Sequence, residues 1–111
     1  MAGDNMAVPD WPGNTPGDEG HARIAACLVM DIQHAPGWAK TVLQSIDDVM
    51  AGRSSRWEMA MNAYVLDVGP AKSDIEPVYE EQGEETVTVL TADLRCALAA
   101  WLEQIDQLQS E

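Results

Sequence analysis

The chain has 111 residues and a formal net charge of -13, from 19 acidic and 6 basic side chains. This length accommodates one domain with a hydrophobic core and leaves little room for a second. Strong acidity opposes contact with nucleic-acid phosphates and with anionic membranes, so we expect neither direct nucleic-acid binding nor membrane association. A basic protein is the complementary partner, although the same charge also serves simply to keep a small domain in solution.

The remaining composition favours a folded protein of the cytoplasm. A hydrophobic content of 46% and four tryptophans outweigh the tendency of the charge toward disorder. Residues 1–20 have neither the basic start nor the apolar centre of a signal peptide, and no apolar run is long enough to span a bilayer. Cys27 and Cys96 lack a CxxC pattern, which favours two reduced thiols over a disulfide.

The first 20 residues differ in composition from the rest of the chain. They contain three prolines, four glycines and no basic residue, and they show no apolar periodicity. Such a segment is predicted to be a flexible acidic N-terminal arm, in which Val8 and Trp11 are the side chains able to dock locally. Residues 21–111 are predicted to form a single α+β domain.

Two helices are predicted in the first half of this domain. The apolar run within Ala22–His34 fits a buried helix or a buried strand, and its alanines favour the helix. Pro36 and Gly37 interrupt the pattern, after which apolar residues from Trp38 to Met50 return at helical spacing. Gly52 is the expected C′ residue, followed by Arg53 near the negative end of the helix dipole.

Three extended segments follow, at Trp57–Val68, Asp74–Glu81 and Glu85–Thr91. The odd positions of the first segment are apolar, as in a strand, while its other face is mixed, which allows a bulge near Asn62. Pro77 cannot donate a ladder hydrogen bond, so the second segment is predicted to be an edge or bulged strand. Because the connections are short, the three strands are predicted to form an antiparallel meander.

Residues Thr91–Leu108 carry the clearest helical pattern in the chain. Apolar side chains recur there at steps of three and four, which is typical of a helix with one buried face. They are Leu94, Ala97, Leu98, Trp101, Leu102, Ile105 and Leu108. Thr91 is the predicted N-cap, and Asp93 places negative charge in the first turn. The predicted fold is therefore α+β: a three-stranded antiparallel meander packed against a C-terminal helix, with one or two N-terminal helices.

Carboxylates concentrate around the second and third strands and suggest a binding surface. The predicted partner-binding residues there are Asp67, Asp74, Glu76, Glu80, Glu81, Glu84 and Glu85, joined by Asp47 and Asp48 on the second helix. A negative surface of this kind steers a basic partner and pairs with its Lys and Arg side chains. The alternative interpretation is a solvated hairpin whose glutamates maintain solubility and prevent edge pairing.

Motifs for catalysis, metals and cofactors are missing from the sequence. The carboxylates do not follow the DxDxDG calcium pattern, and His21 and His34 lack HxxxH or HExxH spacing, so both are interpreted as surface histidines. Neither a GxSxG elbow nor a glycine-rich phosphate loop occurs. We therefore expect no catalytic residues, no metal, no cofactor and no enzymatic activity.

The C-terminal half, residues 57–108, has a characteristic order of segments. It runs from WEMAMNAYVL at Trp57–Leu66 through the acidic IEPVYEE at Ile75–Glu81 and TVTVL at Thr86–Leu90 to the helix with Leu98, Trp101 and Leu102. This order resembles a family of small bacterial immunity proteins from contact-dependent growth inhibition systems. In these systems the immunity protein binds and neutralises the toxic C-terminal domain of a very large secreted protein, and many such toxins are basic nucleases that act on tRNA.

The resemblance implies that the partner is a cognate protein toxin with a basic nuclease domain, and that an acidic surface covers the toxin's substrate site. Two other functions use the same composition. One is an acidic nucleic-acid mimic that inhibits a host nucleic-acid-binding protein, and the other is a small adaptor domain whose acidity is incidental.

Overall fold

A computed structural model of the chain describes residues 8–79 and 85–110, with side chains as far as residue 107. The fold is α+β. Its elements, in chain order, are α1 (Glu19–Cys27), a π-helical turn (Leu28–Ile32), α2 (Pro36–Met50), β1 (Trp57–Ala60), β2 (Tyr64–Val68), β3 (Lys72–Pro77), β4 (Val87–Leu90) and α3 (Thr91–Ser110). The strands form one antiparallel sheet in the order β1-β2-β3-β4.

All three helices pack on the same side of the sheet. Helices α1 and α3 contact β3 and β4, while α2 contacts β1 and α3. The predicted apolar stripe of α3 is confirmed for Leu94, Ala97, Leu98, Trp101 and Ile105, which are buried, and Leu102 is half-buried. The side chain of Leu108 lies outside the described residues. The core therefore lies between one face of the sheet and the helices.

The predicted first strand is in fact a hairpin, which adds a fourth strand to the predicted three. Strands β1 and β2 pair with Met59 opposite Leu66, and the chain reverses at residues 61–63, where a bulge was predicted. Core-facing positions are odd in β1 but even in β2, as shown by buried Tyr64, Leu66 and Val68. This change of parity across the turn explains why the even positions of the segment mix polar and apolar residues.

Strand β3 is an interior strand, so the prediction of an edge strand at Pro77 was wrong. Pro77 is the last residue of β3, and its nitrogen is on the β4 side because Ala63 and Val78 form the hydrogen-bonded pair with β2. Strand β4 begins only at Val87, opposite Ile75. The missing N–H of Pro77 therefore falls beyond the end of β4, where no ladder bond is required.

The helix boundaries follow local sequence signals. The segment Ala22–His34 is helical as far as Ile32, in agreement with its alanines. Helix α1 begins at Glu19 because the Asp18 side chain accepts a hydrogen bond from the His21 N–H. Helix α2 ends as predicted, with Gly52 at a φ of 84° following the C-cap. The Thr91 hydroxyl, predicted to cap α3, instead donates to the Gly69 carbonyl at 2.7 Å.

Part of the predicted N-terminal arm lies against the folded core. Trp11 is 5% exposed and belongs to the core, whereas Val8 is exposed. Gln104 on α3 accepts from the Asp10 N–H and donates to the Val8 carbonyl. Local docking is thus confirmed for Trp11, while flexibility of the arm stays a prediction. Among the described residues, no helix is long and apolar enough to cross a membrane.

Candidate functional site

The face of the sheet turned away from the helices carries the best candidate for a binding surface. We call it the open face. Alternation along the strands places on it Glu58, Ala60, Val65, Asp67, Lys72, Asp74, Glu76, Thr88 and Leu90, all of them exposed or half-buried. These nine residues include four carboxylates and one cation, Lys72.

Three of the carboxylates form a row across adjacent strands. Glu58 on β1 is opposite Asp67 on β2, and Asp67 is opposite Asp74 on β3. Directly opposed like charges destabilise an antiparallel pair, because their Cβ atoms are only about 4.5–5.5 Å apart. The carboxylates of the row therefore repel one another, and they suit a partner that brings positive charge.

Neighbouring side chains offset part of this repulsion. Arg56 donates from Nε and Nη2 to the two carboxylate oxygens of Asp67, at 2.6 and 2.5 Å, and its Nη2 is 3.7 Å from Glu58. These hydrogen bonds lower the pKa of Asp67 and raise the pKa of Arg56. Thr88 donates its hydroxyl to Asp74 at 2.6 Å, which orients that carboxylate without neutralising it. Asp74 thus keeps its charge available for a partner.

The predicted binding residues divide into separate groups. Asp67, Asp74 and Glu76 share the open face, and Glu85 is exposed just before β4. Glu80, Glu81 and Glu84 lie outside the described residues. Glu58 belongs to the open face but was not predicted, because its position opposite Asp67 depends on the unforeseen hairpin.

Asp47 and Asp48 belong to the helical side of the molecule. Asp47 on α2 accepts from Nε of Arg95 on α3 at 2.6 Å, and this hydrogen bond raises the pKa of Arg95. Asp48 accepts from Nε of Arg53 at 2.8 Å and from Gln44, and these two bonds lower its pKa. Both carboxylates therefore have intramolecular partners, and the structure does not bring them to the open face.

A groove lies where the edge of β4 meets the start of α1. It is lined by Asp18, Gly20, His21, Thr88, Val89, Leu90 and Asp93. We call it the β4 groove. Hydrogen bonds to the backbone N–H groups of His21 and Gly20 lower the pKa of Asp18, so this carboxylate stays ionised.

His21 was interpreted as a surface histidine, but its side chain is only 13% exposed in the wall of the β4 groove. Its Nδ1 accepts from the Thr15 N–H at 2.9 Å, so Nδ1 is unprotonated and Nε2–H donates to Asp93 at 3.3 Å. Both ring nitrogens are engaged within the protein. His21 therefore joins the N-terminal segment to α3, and its ring does not present an unoccupied basic nitrogen to the groove.

Asp31, in the π-helical turn, is a buried carboxylate that the sequence analysis did not single out. It is 6% exposed and accepts hydrogen bonds from the backbone N–H groups of Ala63 at 2.8 Å and Tyr64 at 3.1 Å. The carboxylate thereby holds the reversal between β1 and β2. Nearby, Arg23 donates to the Ile75 carbonyl at 2.9 Å and lies 5.2 Å from the centre of the Tyr64 ring. These polar contacts fasten the N-terminal helical segment to the sheet.

Raising the pH above 9 is expected to reduce stability through Cys27. Burial, followed by the negative charge of Asp31, raises the pKa of this thiol from 9.0 to about 12. In the unfolded chain the Cys27 thiol ionises near pH 9, whereas in the folded chain it keeps its proton. The contribution of the protonated thiol to folding stability is therefore complete below pH 9 and is lost between pH 9 and 12. Urea unfolding at about pH 8 and about pH 10 measures the loss.

Replacing Cys27 by Ala is expected to reduce that pH-dependent loss of stability. Cys96→Ala is the control, because Cys96 is only partly buried and its sulfur is 3.7 Å from the Pro12 carbonyl. The control variant is expected to lose as much stability over this pH range as the unmodified chain. An equal pH dependence in the Cys27→Ala variant would contradict the assignment.

No group of three or more potential metal ligands occurs among residues 8–79 and 85–110.

No known protein family, curated protein or solved structure matches this chain.

Proposed function

We propose that this protein is an immunity protein of the bacterial cytoplasm, which neutralises a cognate toxin by covering the toxin's substrate site with the open face. The toxin is a basic nuclease domain of the kind that acts on tRNA. The observation that supports this proposal best is the row of Glu58, Asp67 and Asp74 across three adjacent strands. Such a row provides the negative charge that a phosphate-binding cleft attracts.

The strands hold these carboxylates at fixed spacing before any partner arrives. A rigid sheet loses little conformational freedom on binding, so the charges are already arranged for a cationic cleft. Their long-range effect is on association, because a negative surface accelerates encounter with a positive one at low salt. Asp74 and Glu76 contribute most directly, because Arg56 already pairs with Asp67.

Affinity capture from the native cells tests the identity of the partner. The tagged chain is used as bait, and mass spectrometry identifies proteins that are retained at low salt and released at high salt. Recovery of a basic toxin domain, followed by inhibition of its tRNA cleavage by the purified chain, supports the proposal. A housekeeping nucleic-acid-binding protein would favour the mimic, and the absence of any salt-sensitive partner would favour the adaptor.

Neutralising two carboxylates of the open face is expected to weaken toxin binding about tenfold, chiefly by slowing association. The double variant Asp74→Asn, Glu76→Gln removes two charges and keeps an oxygen that can accept from Thr88. Binding rates measured by surface plasmon resonance at two salt concentrations should show the difference shrinking at high salt.

The matched control is Glu19→Gln, Glu103→Gln, which removes the same number of charges from exposed sites on α1 and α3. It is expected to change the association rate less than twofold. If the control and the open-face variant bind equally, the overall charge of the chain is responsible and the open face is not the interface.

A further inference from the structure

The sheet ends at β4, and the outer edge of this strand has no neighbouring strand among those that the structure describes. The Thr91 N–H donates to the Ala71 carbonyl, and antiparallel alternation then directs the backbone groups of Val89 and Val87 toward β3. Both backbone groups of Thr88 and the N–H of Leu90 consequently point outward, while the Leu90 carbonyl precedes the first residue of α3 and belongs to the start of that helix. A strand edge of this kind is able to pair with another extended chain.

The β4 groove runs beside this edge and supplies a second recognition element. Thr88 and Leu90 line it together with two carboxylates, Asp18 before α1 and Asp93 in the first turn of α3. Leu90 is 52% exposed, so an added chain has an apolar side chain to cover. Outward backbone groups combined with nearby carboxylates suit an extended segment that carries Lys or Arg.

We propose that β4 accepts an extended basic segment of the partner protein as a fifth strand. Its backbone pairs with Thr88 and Leu90, and its cationic side chains approach Asp18 and Asp93. Alternation places every second side chain of this segment over the open face. The inference rests on the proposed function only for the basic character of the partner. A second copy of the chain fits less well, because each copy carries a net charge of -13.

An end-capped decapeptide of alternating lysine and valine is the probe. Its matched control is the same peptide with every backbone nitrogen methylated, which keeps the charge but removes the donors that strand pairing needs. Amide hydrogen exchange, followed by NMR on the full chain, should slow at least tenfold at Thr88 and Leu90 with the first peptide at millimolar concentration. The methylated peptide should leave exchange at both positions unchanged.

The variant Thr88→Pro tests the edge from the protein side. Proline removes an outward N–H and no bond to β3, so an edge strand tolerates it. We expect it to weaken binding of the unmethylated peptide at least tenfold, whereas Thr88→Ala, which keeps the N–H, changes binding less than twofold. If Thr88→Pro does not fold, the comparison of the two peptides still decides.

Three outcomes would overturn strand addition: equal binding of both peptides, unchanged exchange at Thr88 and Leu90 with the unmethylated peptide, or protection that appears without peptide and increases with protein concentration. The last result would assign the edge to a second copy of the chain. Loss of strand addition while the open-face variant still binds toxin more weakly than its control would leave the proposed function intact. Failure to find any salt-sensitive basic partner would instead remove the proposed function.

Discussion

Replacing Trp101 by Ala is expected to lower the free energy of unfolding by about 4 kcal/mol. Trp101 is 1% exposed in the core, and it is the largest of the fully buried side chains among the described residues. Its removal leaves a cavity and deletes the bond that Nε1 donates to the Gln33 carbonyl at 2.8 Å. His34, whose ring is stacked 5.7 Å away, also loses its contact. Urea unfolding should show a lower midpoint with an unchanged slope.

Two variants separate the contributions of Trp101. Trp38→Ala removes the same side chain from a half-buried position on α2 and is expected to cost less than about 2 kcal/mol. Trp101→Phe keeps an aromatic ring but loses the donor to Gln33, and a cost of about 1 kcal/mol is expected for the hydrogen bond. A Trp101→Ala variant no less stable than Trp38→Ala would contradict the placement of Trp101 at the centre of the core.

Replacing Asp31 by Ala is expected to cost about 3 kcal/mol. The Asp31 carboxylate accepts hydrogen bonds from two backbone N–H groups at the β1–β2 reversal, those of Ala63 and Tyr64. An alanine at position 31 removes this acceptor from both donors in a buried site. Calorimetric or urea unfolding gives the magnitude. Amide exchange at residues 63 and 64 locates the effect, since both protons should exchange faster relative to the rest of β2.

Glu103→Ala is the control for Asp31→Ala, because Glu103 is an exposed carboxylate on α3. Its stability should stay within about 0.5 kcal/mol of the original chain. Asp31→Asn should lie between the two, since an amide keeps one acceptor oxygen but directs its NH2 group toward the second N–H. Normal exchange at residues 63 and 64 in Asp31→Ala would show that the carboxylate does not hold the reversal.

The helices were predictable because their signals are local. The apolar period of α3 and the glycine that follows α2 each depend on residues within a few positions of one another. The reversal between β1 and β2 was not predictable from such signals. It has no Asn-Gly or Asp-Gly pair, and Gln33 is the only described non-glycine residue with positive φ. The hairpin is stabilised instead by Asp31, which is 32 residues away from Ala63 in the chain.

The candidate site was predictable in part for the same reason. Asp67, Asp74 and Glu76 could be assigned to one hairpin, and β2–β3 pairing places them on one face. Asp47 accepts a hydrogen bond from Arg95, 48 positions later, and no sequence pattern within α2 predicts that contact. The role of His21 depends on Thr15 and Asp93 together, so it emerges only once α1 and α3 lie side by side.

The order of the strands also constrains how the chain folds. Each strand pairs only with its neighbours in sequence, so the sheet can assemble from short hairpins with small loop-closure costs. The N-terminal contacts with α3 span far more chain, 68 residues between Gln33 and Trp101 and 96 between Val8 and Gln104. On the ribosome, α1 and α2 leave the exit tunnel before the helix that completes their core. The parts of their apolar faces that pack against α3 therefore remain uncovered until α3, which is synthesised after them, has emerged.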